Sequence, residues 1–302
     1  MNFQFAEFED SLPPDQPLIQ TQGVRDCDAF FDLMIDPTRR YQTIGLIIGR
    51  AGIGKTIAIS YKISKLQSNP QTGLPAILPI KITPGATPKS LVGDIFIVLQ
   101  ERPRNLTAHQ LRRQVVRVLI SNGIKLLVLD EANHLNDQTF DLLRSIFDST
   151  GCNMVVVGLP KIEQTINRYE TFSSRIGLRM QFPLLTESEI LDIVLPGLVF
   201  PLWRYNPKDE EDRILGQLIY KRVGNSFRNL RNVLQTASQT AVAFSKLHID
   251  QECILEALQW TRTSSQIRSE DQEDSPPAEN RGDLEMESEE RKNWKGDRNS
   301  RS

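Results

Sequence analysis

The eight residues Gly49, Arg50, Ala51, Gly52, Ile53, Gly54, Lys55 and Thr56 constrain this chain more than any other stretch. They fit the pattern G-x-x-x-x-G-K-[ST]. Ile44 to Ile48, just before them, reads as a short buried strand, and Ile57 to Leu66, just after, sets Ile59, Ile63 and Leu66 at helical spacing. A loop of this composition between a strand and a helix is the context a phosphate-binding loop requires. Its glycines leave room for backbone N–H groups to close around phosphate oxygens, and the helix N-terminus adds partial positive charge. Lys55 can reach the β- and γ-phosphates, and the Thr56 hydroxyl can bind Mg²⁺. The sequence therefore points to ATP and Mg²⁺ as cofactors, with all eight loop residues in the nucleotide site.

A second acidic element completes the chemistry. Lys125 to Asp130 is a continuous apolar run that ends in Asp130-Glu131. Runs of this kind suit a parallel strand buried on both faces. An Asp at that strand end can bind Mg²⁺, directly or through water. A Glu beside it can orient and polarise an attacking water. Hydrolysis of ATP needs positioning and charge stabilisation, which Lys55, Thr56, Asp130 and Glu131 can supply.

Around these motifs the pattern alternates. Helices are expected over Asp26 to Ile35, from Pro88 to about Glu101 after the cap Thr87, from Thr107 to Gly123, and after the cap Asn136. Further strands are expected at Ala76 to Ile82, Asn153 to Gly158 and Leu178 to Phe182. Strands alternating with helices imply an α/β sandwich with a parallel sheet. After Pro183 the pattern reads helical to Trp260, opened by a capping box of Thr186 with Glu189 and clearest over Phe227 to Phe244. The expected organisation is a tail over 1–22, a nucleotide-binding core over 23–185, a helical lid over 186–265 and a charged, hydrophobe-poor tail over 266–302.

Composition sets the outer bounds. The net charge is −2, but residues 1–22 hold four acids and no base, and residues 266–302 hold eleven acids and seven bases. The other 29 basic and 23 acidic residues leave the body, 23–265, at about +6. That excess permits contact with nucleic acid. No apolar run reaches the ~20 residues needed to span a bilayer, so no membrane partner is expected. The acidic start lacks the basic stretch of a secretion signal. Cys27, Cys152 and Cys253 are scattered and not at ligand spacing; a reduced, cytoplasmic chain without a zinc site is the simple reading.

The phosphate loop, the Leu-Val-Leu-Asp-Glu strand end, a strand ending Val157-Gly158-Leu159-Pro160, then Ser174-Arg175-Ile176 and a helical block resemble an AAA+ ATPase. More narrowly, Asp-Glu-Ala-Asn-His-Leu at 130–135 is similar to the acidic strand end of the TniB/TnsC group of DNA-transposition regulators, relatives of the phage Mu B protein. The resemblance covers roughly residues 24–260. It implies a P-loop AAA+ sandwich with a five-stranded parallel sheet and a small helical lid. Arg175 matches an arginine finger that reaches a neighbouring subunit's nucleotide, with Arg179 its nearest rival. Arg228 matches the lid arginine that senses nucleotide, with Arg231 competing. The family expects a polar residue after the fourth strand (sensor 1); Leu159 stands there and cannot hydrogen-bond, and Asn153 lies at the strand's other end. Slow, assembly-dependent hydrolysis is the corresponding expectation.

The resemblance also implies partners. Lys89, Arg102, Arg104 and Thr107 occupy the positions that would contact the backbone of duplex DNA without reading its sequence, with Arg112, Arg113 and Arg117 as weaker candidates. The chain is expected to form a homo-oligomer, ring or helical filament, and to couple a target-selector protein to a transposase. Two alternatives stand beside this: a nucleotide-gated signalling switch that binds no DNA, and a replication initiator or helicase loader, which usually carries an added DNA-reading domain. Leu284, Met286 and Trp294, isolated among charges in the last tail, suit a partner-binding segment.

Overall fold

The structure is a computed structural model that describes residues 18–36, 38, 41–65, 76–101 and 107–261. These lie in one compact unit, Met1–Thr261; a second, Arg262–Ser302, falls outside the described residues, as do the expectations for most of the first tail and for Leu66, Arg102 and Arg104.

Five strands form the centre: β1 (Ile44–Ile48), β2 (Ile77–Lys81), β3 (Leu126–Asp130), β4 (Asn153–Gly158) and β5 (Ile176–Gln181). They pair in the order β2-β3-β4-β1-β5, and every pairing is parallel. The apolar runs follow from burial on two faces. Leu127 and Leu129 of β3 join one core cluster, and Leu126 and Val128 join the other; Met154 and Val156 of β4 likewise oppose Val155 and Val157. Successive side chains on a strand point to opposite faces, so a strand covered on both sides must be apolar throughout.

Helices supply the covers. One face carries α1 (Gln22–Ile35) and α2 (Lys55–Lys65). The other carries α3 (Pro88–Val98), α4 (Ala108–Ser121), α5 (Asp137–Thr150), α6 (Lys161–Asn167) and α7 (Glu170–Ser173). Capping boxes start α3 at Thr87 with Ser90, α4 at Thr107 with Gln110, and α5 at Asn136 with Thr139. On the first face Lys62 of α2 is buried, with Nζ 2.9 Å from Asp28 and 2.6 Å from Asp32 of α1. Burial alone would lower its pKa, but the hydrogen bonds it donates to the two carboxylates, with their charge, outweigh that and raise the pKa, keeping the ammonium charged.

After β5 come α8, α9 (Glu210–Val223), α10 (Phe227–Ala243) and α11 (Gln251–Trp260). Helix α8 has three parts: a first turn Glu187–Glu189, a π-helical middle Ile190–Val194, and a last turn Leu195–Gly197. These helices enclose a core of their own, around Ile190, Val194, Ile219, Leu230, Leu234 and Ile254. The stretch between α8 and α9 is held by Trp203, whose Nε1 donates to the Leu195 carbonyl at 2.9 Å, and by Ser238 Oγ, which donates to the Pro201 carbonyl at 2.8 Å.

Several expectations need correction. Helix α1 begins at Gln22 rather than Asp26, because Thr21 caps it by accepting from the Val24 N–H. The block after Pro183 is not helical throughout: residues 198–209 and 244–250 carry no helix. Phe244 does not share the apolar stripe of α10; it is the C-cap and half exposed. β5 begins at Ile176 rather than Leu178, since Ile176 pairs with Ile44.

Candidate nucleotide site

The phosphate loop leaves β1 and enters α2 as the sequence requires. Its first residue is fixed to the end of the adjacent strand β4: the Gly49 N–H donates to the Gly158 carbonyl at 3.1 Å. Gly52 and Gly54 have φ of +74° and +100°, values that L side chains rarely adopt. Gly52 also lies against the first turn of α10. A Cβ there would sit 2.9 Å from Ser226 Oγ and 3.1 Å from Arg228 Cβ, and the Gly52 carbonyl accepts from the Arg228 N–H at 3.0 Å. The first turn of α10 therefore rests on the loop through backbone contact.

Lys55 Nζ donates to the carbonyls of Gly49 and Arg50 at 2.7 and 2.8 Å. Burial lowers its pKa, opposed by the carboxylates of Asp130 and Glu131, while the Arg228 guanidinium lowers it further. Among the described residues no carboxylate pairs with it directly, so its charge stands available to an anion in the cleft.

At the end of β3, Asp130 is almost wholly buried, at 2% exposure. Thr56 Oγ1 donates to its Oδ2 at 2.7 Å, and the Glu131 N–H donates to its Oδ1 at 2.8 Å. Burial raises its pKa, and those two hydrogen bonds hold the rise in check. A hydroxyl and a buried carboxylate in contact are the hard oxygen donors that Mg²⁺ takes, and a cation there would offset the cost of burying the charge. The donor set fits the metal. Glu131, in left-handed backbone conformation (φ 54°, ψ 36°), turns the chain out of β3 at the cleft's edge.

These groups line one cleft of about 380 Å³. The loop residues Ala51, Gly52, Gly54, Lys55 and Thr56 form its floor, Asp130, Glu131, Asn133, Gly158 and Leu159 one wall, and Phe227, Arg228, Arg231, Asn232 and Gln235 of α10 the other. Both lid arginines weighed from the sequence thus reach the cleft. Arg50 lends its carbonyl to Lys55, and Ile53 is buried in the core beneath the loop.

Leu159 occupies the position after β4, and its N–H donates to Asn133 Oδ1 at 2.7 Å. Asn153 takes no part: its Oδ1 accepts from the Thr43 N–H, and its Nδ2 donates to the Met34 carbonyl. Asn133 escaped the sequence reading. Its one signal was a polar side chain two places beyond Glu131, and only the tertiary fold sets it beside Leu159.

Arg175 is not in this cleft. It precedes β5 at the opposite end of the strands from the loop, where its carbonyl accepts from the Ile44 N–H at the start of β1. Its Nε and Nη2 grip both oxygens of Asp148 at 2.8 and 2.9 Å, and Nη1 meets the Thr171 carbonyl. Arg179 is half exposed and lies 3.4 Å from Glu163. Lys89 is exposed on the first turn of α3. The Thr107 hydroxyl is exposed too, but serves as the cap of α4, accepting from the Gln110 N–H. Arg102 and Arg104 lie outside the described residues. His134 is exposed, and no cluster of metal-ligating side chains occurs among the described residues. No helix among them is long and apolar enough to cross a membrane.

Comparison with known proteins bears on this geometry. Residues 38–166 match AAA_22, a model of an AAA domain. The chain is 26% identical over 200 residues to a potential ATP-binding protein of Staphylococcus aureus, covering 59% of this chain and 72% of that one. Its fold is similar to that of Cdc6p from Pyrobaculum aerophilum, with a TM-score of 0.66 and 16% identity over 84% of this chain and 72% of the other. It is also similar to the Aeropyrum pernix ORC1 protein solved in complex with DNA, with a TM-score of 0.59 and 19% identity over 81% of this chain and 66% of the other. The strand order β2-β3-β4-β1-β5, the phosphate loop and the C-terminal helices thus make an α/β fold like that of Cdc6p, with residues 38–166 matching an AAA domain.

Proposed function

We propose that this chain is an ATPase that uses bound nucleotide to switch its own assembly on duplex DNA. The observation that carries the enzymatic half is the convergence of Lys55, Thr56, Asp130, Glu131 and Arg228 on one cleft. In this reading the loop N–H groups and Lys55 hold the β- and γ-phosphates, and Thr56 with Asp130 holds Mg²⁺. Glu131 orients the attacking water, and Arg228 couples the lid to the nucleotide. The bound Mg·ATP supplies the phosphoanhydride that is cleaved; the chain positions it and excludes bulk water. Arg175, remote from its own cleft, would serve the cleft of a neighbouring copy, so that hydrolysis requires a homo-oligomer.

The DNA half is supported by the basic excess of the body, the exposed Lys89 on α3, and a fold similar to that of a protein solved in complex with DNA. Arg102, Arg104 and Thr107 are carried as further backbone contacts. For the process served, the solved structures favour a replication initiator or helicase loader. The transposition reading, with a transposase and a target selector as partners, is supported by the Asp130 to Leu135 resemblance alone.

A gel shift of random-sequence duplex DNA with ATP, ADP and no nucleotide tests the core of this reading. An ATP-dependent shift is expected. Hydrolysis without any shift would leave a nucleotide-gated switch that works on other partners. Supplying the purified chain to reconstituted helicase loading and to a transposase target-choice assay then separates the two processes.

A further inference from the structure

The position after β4, where a group that reports on the γ-phosphate is expected, holds Leu159, whose side chain offers no hydrogen bond. The fold sets another side chain there. Asn133, in the short 3₁₀ turn Ala132–His134 that follows Glu131, lines the cleft beside Leu159, Glu131 and Lys55. Its Oδ1 accepts from the Leu159 N–H at 2.7 Å. A backbone N–H can only donate, so this bond fixes the amide's orientation: the oxygen faces β4, and the NH₂ group faces away from it. Among the described residues no acceptor takes those NH₂ hydrogens, although Asn133 is half-buried. The same oxygen is also packed closely against β4. A Cβ at Gly158 would lie 2.9 Å from the same Oδ1, so a glycine there is what admits the Asn133 side chain against the strand.

We infer that Asn133 is the group that recognises the γ-phosphate and its attacking water in this chain, replacing the side chain that Leu159 lacks. A donor locked by the Leu159 N–H and, among the described residues, without a protein acceptor is organised for an anionic or lone-pair acceptor in the cleft. It neighbours Glu131, the residue assigned to the water. The same bond links the acidic turn after β3 to the end of β4, so a ligand held by the amide would be felt at both strand ends. This inference rests on the ATP reading above and names the group that distinguishes ATP from ADP.

The test compares wild type, Asn133→Asp and Asn133→Ala by titration with a slowly hydrolysed ATP analogue and with ADP, alongside ATP turnover and thermal melting without ligand. Asn133→Asp keeps the acceptor for the Leu159 N–H and removes the donor. It is expected to melt close to wild type and bind ADP nearly as well. Its preference for the triphosphate should fall by about tenfold or more, the scale of a lost hydrogen bond to a charged group, with turnover reduced alongside. Asn133→Ala should lose the preference and melt lower, because the Leu159 N–H then loses its partner. A wild-type triphosphate preference retained in Asn133→Asp would overturn the inference and leave Asn133 a strut, with ATP binding intact. Wild-type protein that binds neither nucleotide would overturn the ATP reading itself, and this inference with it.

Discussion

Asp130 is the residue at which charge, burial and function are most tightly bound. Its carboxyl lies above the ordinary 3.8 chiefly because burial penalises the ionised form. A raised folded value means that this group's stabilising contribution is fully present below 3.8 and is lost as pH rises through the folded value. Asp130→Asn should therefore melt higher than wild type near pH ~7 without nucleotide, with the gain shrinking toward pH ~4.5, while metal-dependent turnover disappears. Paired melts at the two pH values check this; a gain of the same size at both would mean that relief of the buried charge is not its source. Lys55 is the complementary case. Held by two loop carbonyls and, among the described residues, by no carboxylate, it presents a positive charge to the cleft. Lys55→Ala should weaken ATP binding by at least about tenfold, since hydrogen bonds to charged groups contribute ~1.5–3 kcal/mol. Titration with a fluorescent nucleotide reads the loss, and near-normal affinity would remove Lys55 from the phosphate site.

At the scale of elements, the phosphate loop and the first turn of α10 meet directly, through Gly52 and Arg228. Ser226 caps that helix by accepting from the Asn229 N–H, and its first two turns present Arg228 and Arg231 to the cleft. Gly52 is the point of approach. Gly52→Ala imposes a left-handed conformation on a residue with a Cβ, at ~1 kcal/mol or more, and drives that Cβ to 2.9 Å from Ser226 Oγ. The lid keeps its own core, so the variant should retain its helical content by circular dichroism. Its nucleotide affinity should fall by about tenfold as the loop and lid part. Unchanged affinity would show that the loop-to-lid contact does not matter to binding. Most elements were legible from sequence because their signals are local: capping boxes at Thr87, Thr107, Asn136 and Thr186 open helices where expected. The breaks at 198–209 and 244–250 were not. What holds them there joins segments far apart in the chain, as in the Ser238 bond to the Pro201 carbonyl and the Ile249 N–H bond to the Leu202 carbonyl.

At the scale of the molecule, Arg175 faces away from its own cleft and is engaged by Asp148. If it acts on a neighbour's nucleotide, Arg175→Ala should bind ATP with near-normal affinity as a monomer yet fail to hydrolyse it. Glu131→Gln should bind and likewise fail. Mixing the two should recover part of the activity, because some interfaces then pair an intact Glu131 with an intact Arg175. A mixture as inactive as its components at every ratio would argue against action in trans. For the DNA face, Lys89→Ala should weaken binding to all duplexes alike and reduce the salt dependence by about one unit of slope; a changed sequence preference at constant slope would mean that Lys89 reads bases. The sequence by itself determined the phosphate loop, the acidic strand end and the parallel sheet, because loop chemistry is contiguous and a strand buried on both faces has to be apolar throughout. Only the tertiary structure decided which groups meet. Thr56 and Asp130 are 74 residues apart and Asn133 and Leu159 are 26 apart, yet each pair is hydrogen-bonded. The pairing order of the strands sets the ends of β3, β4 and β1 side by side in the middle of the sheet, and the docking of α10 on Gly52 adds Arg228 and Arg231. No local pattern encodes those distances, since they depend on register and packing between elements far apart in the chain.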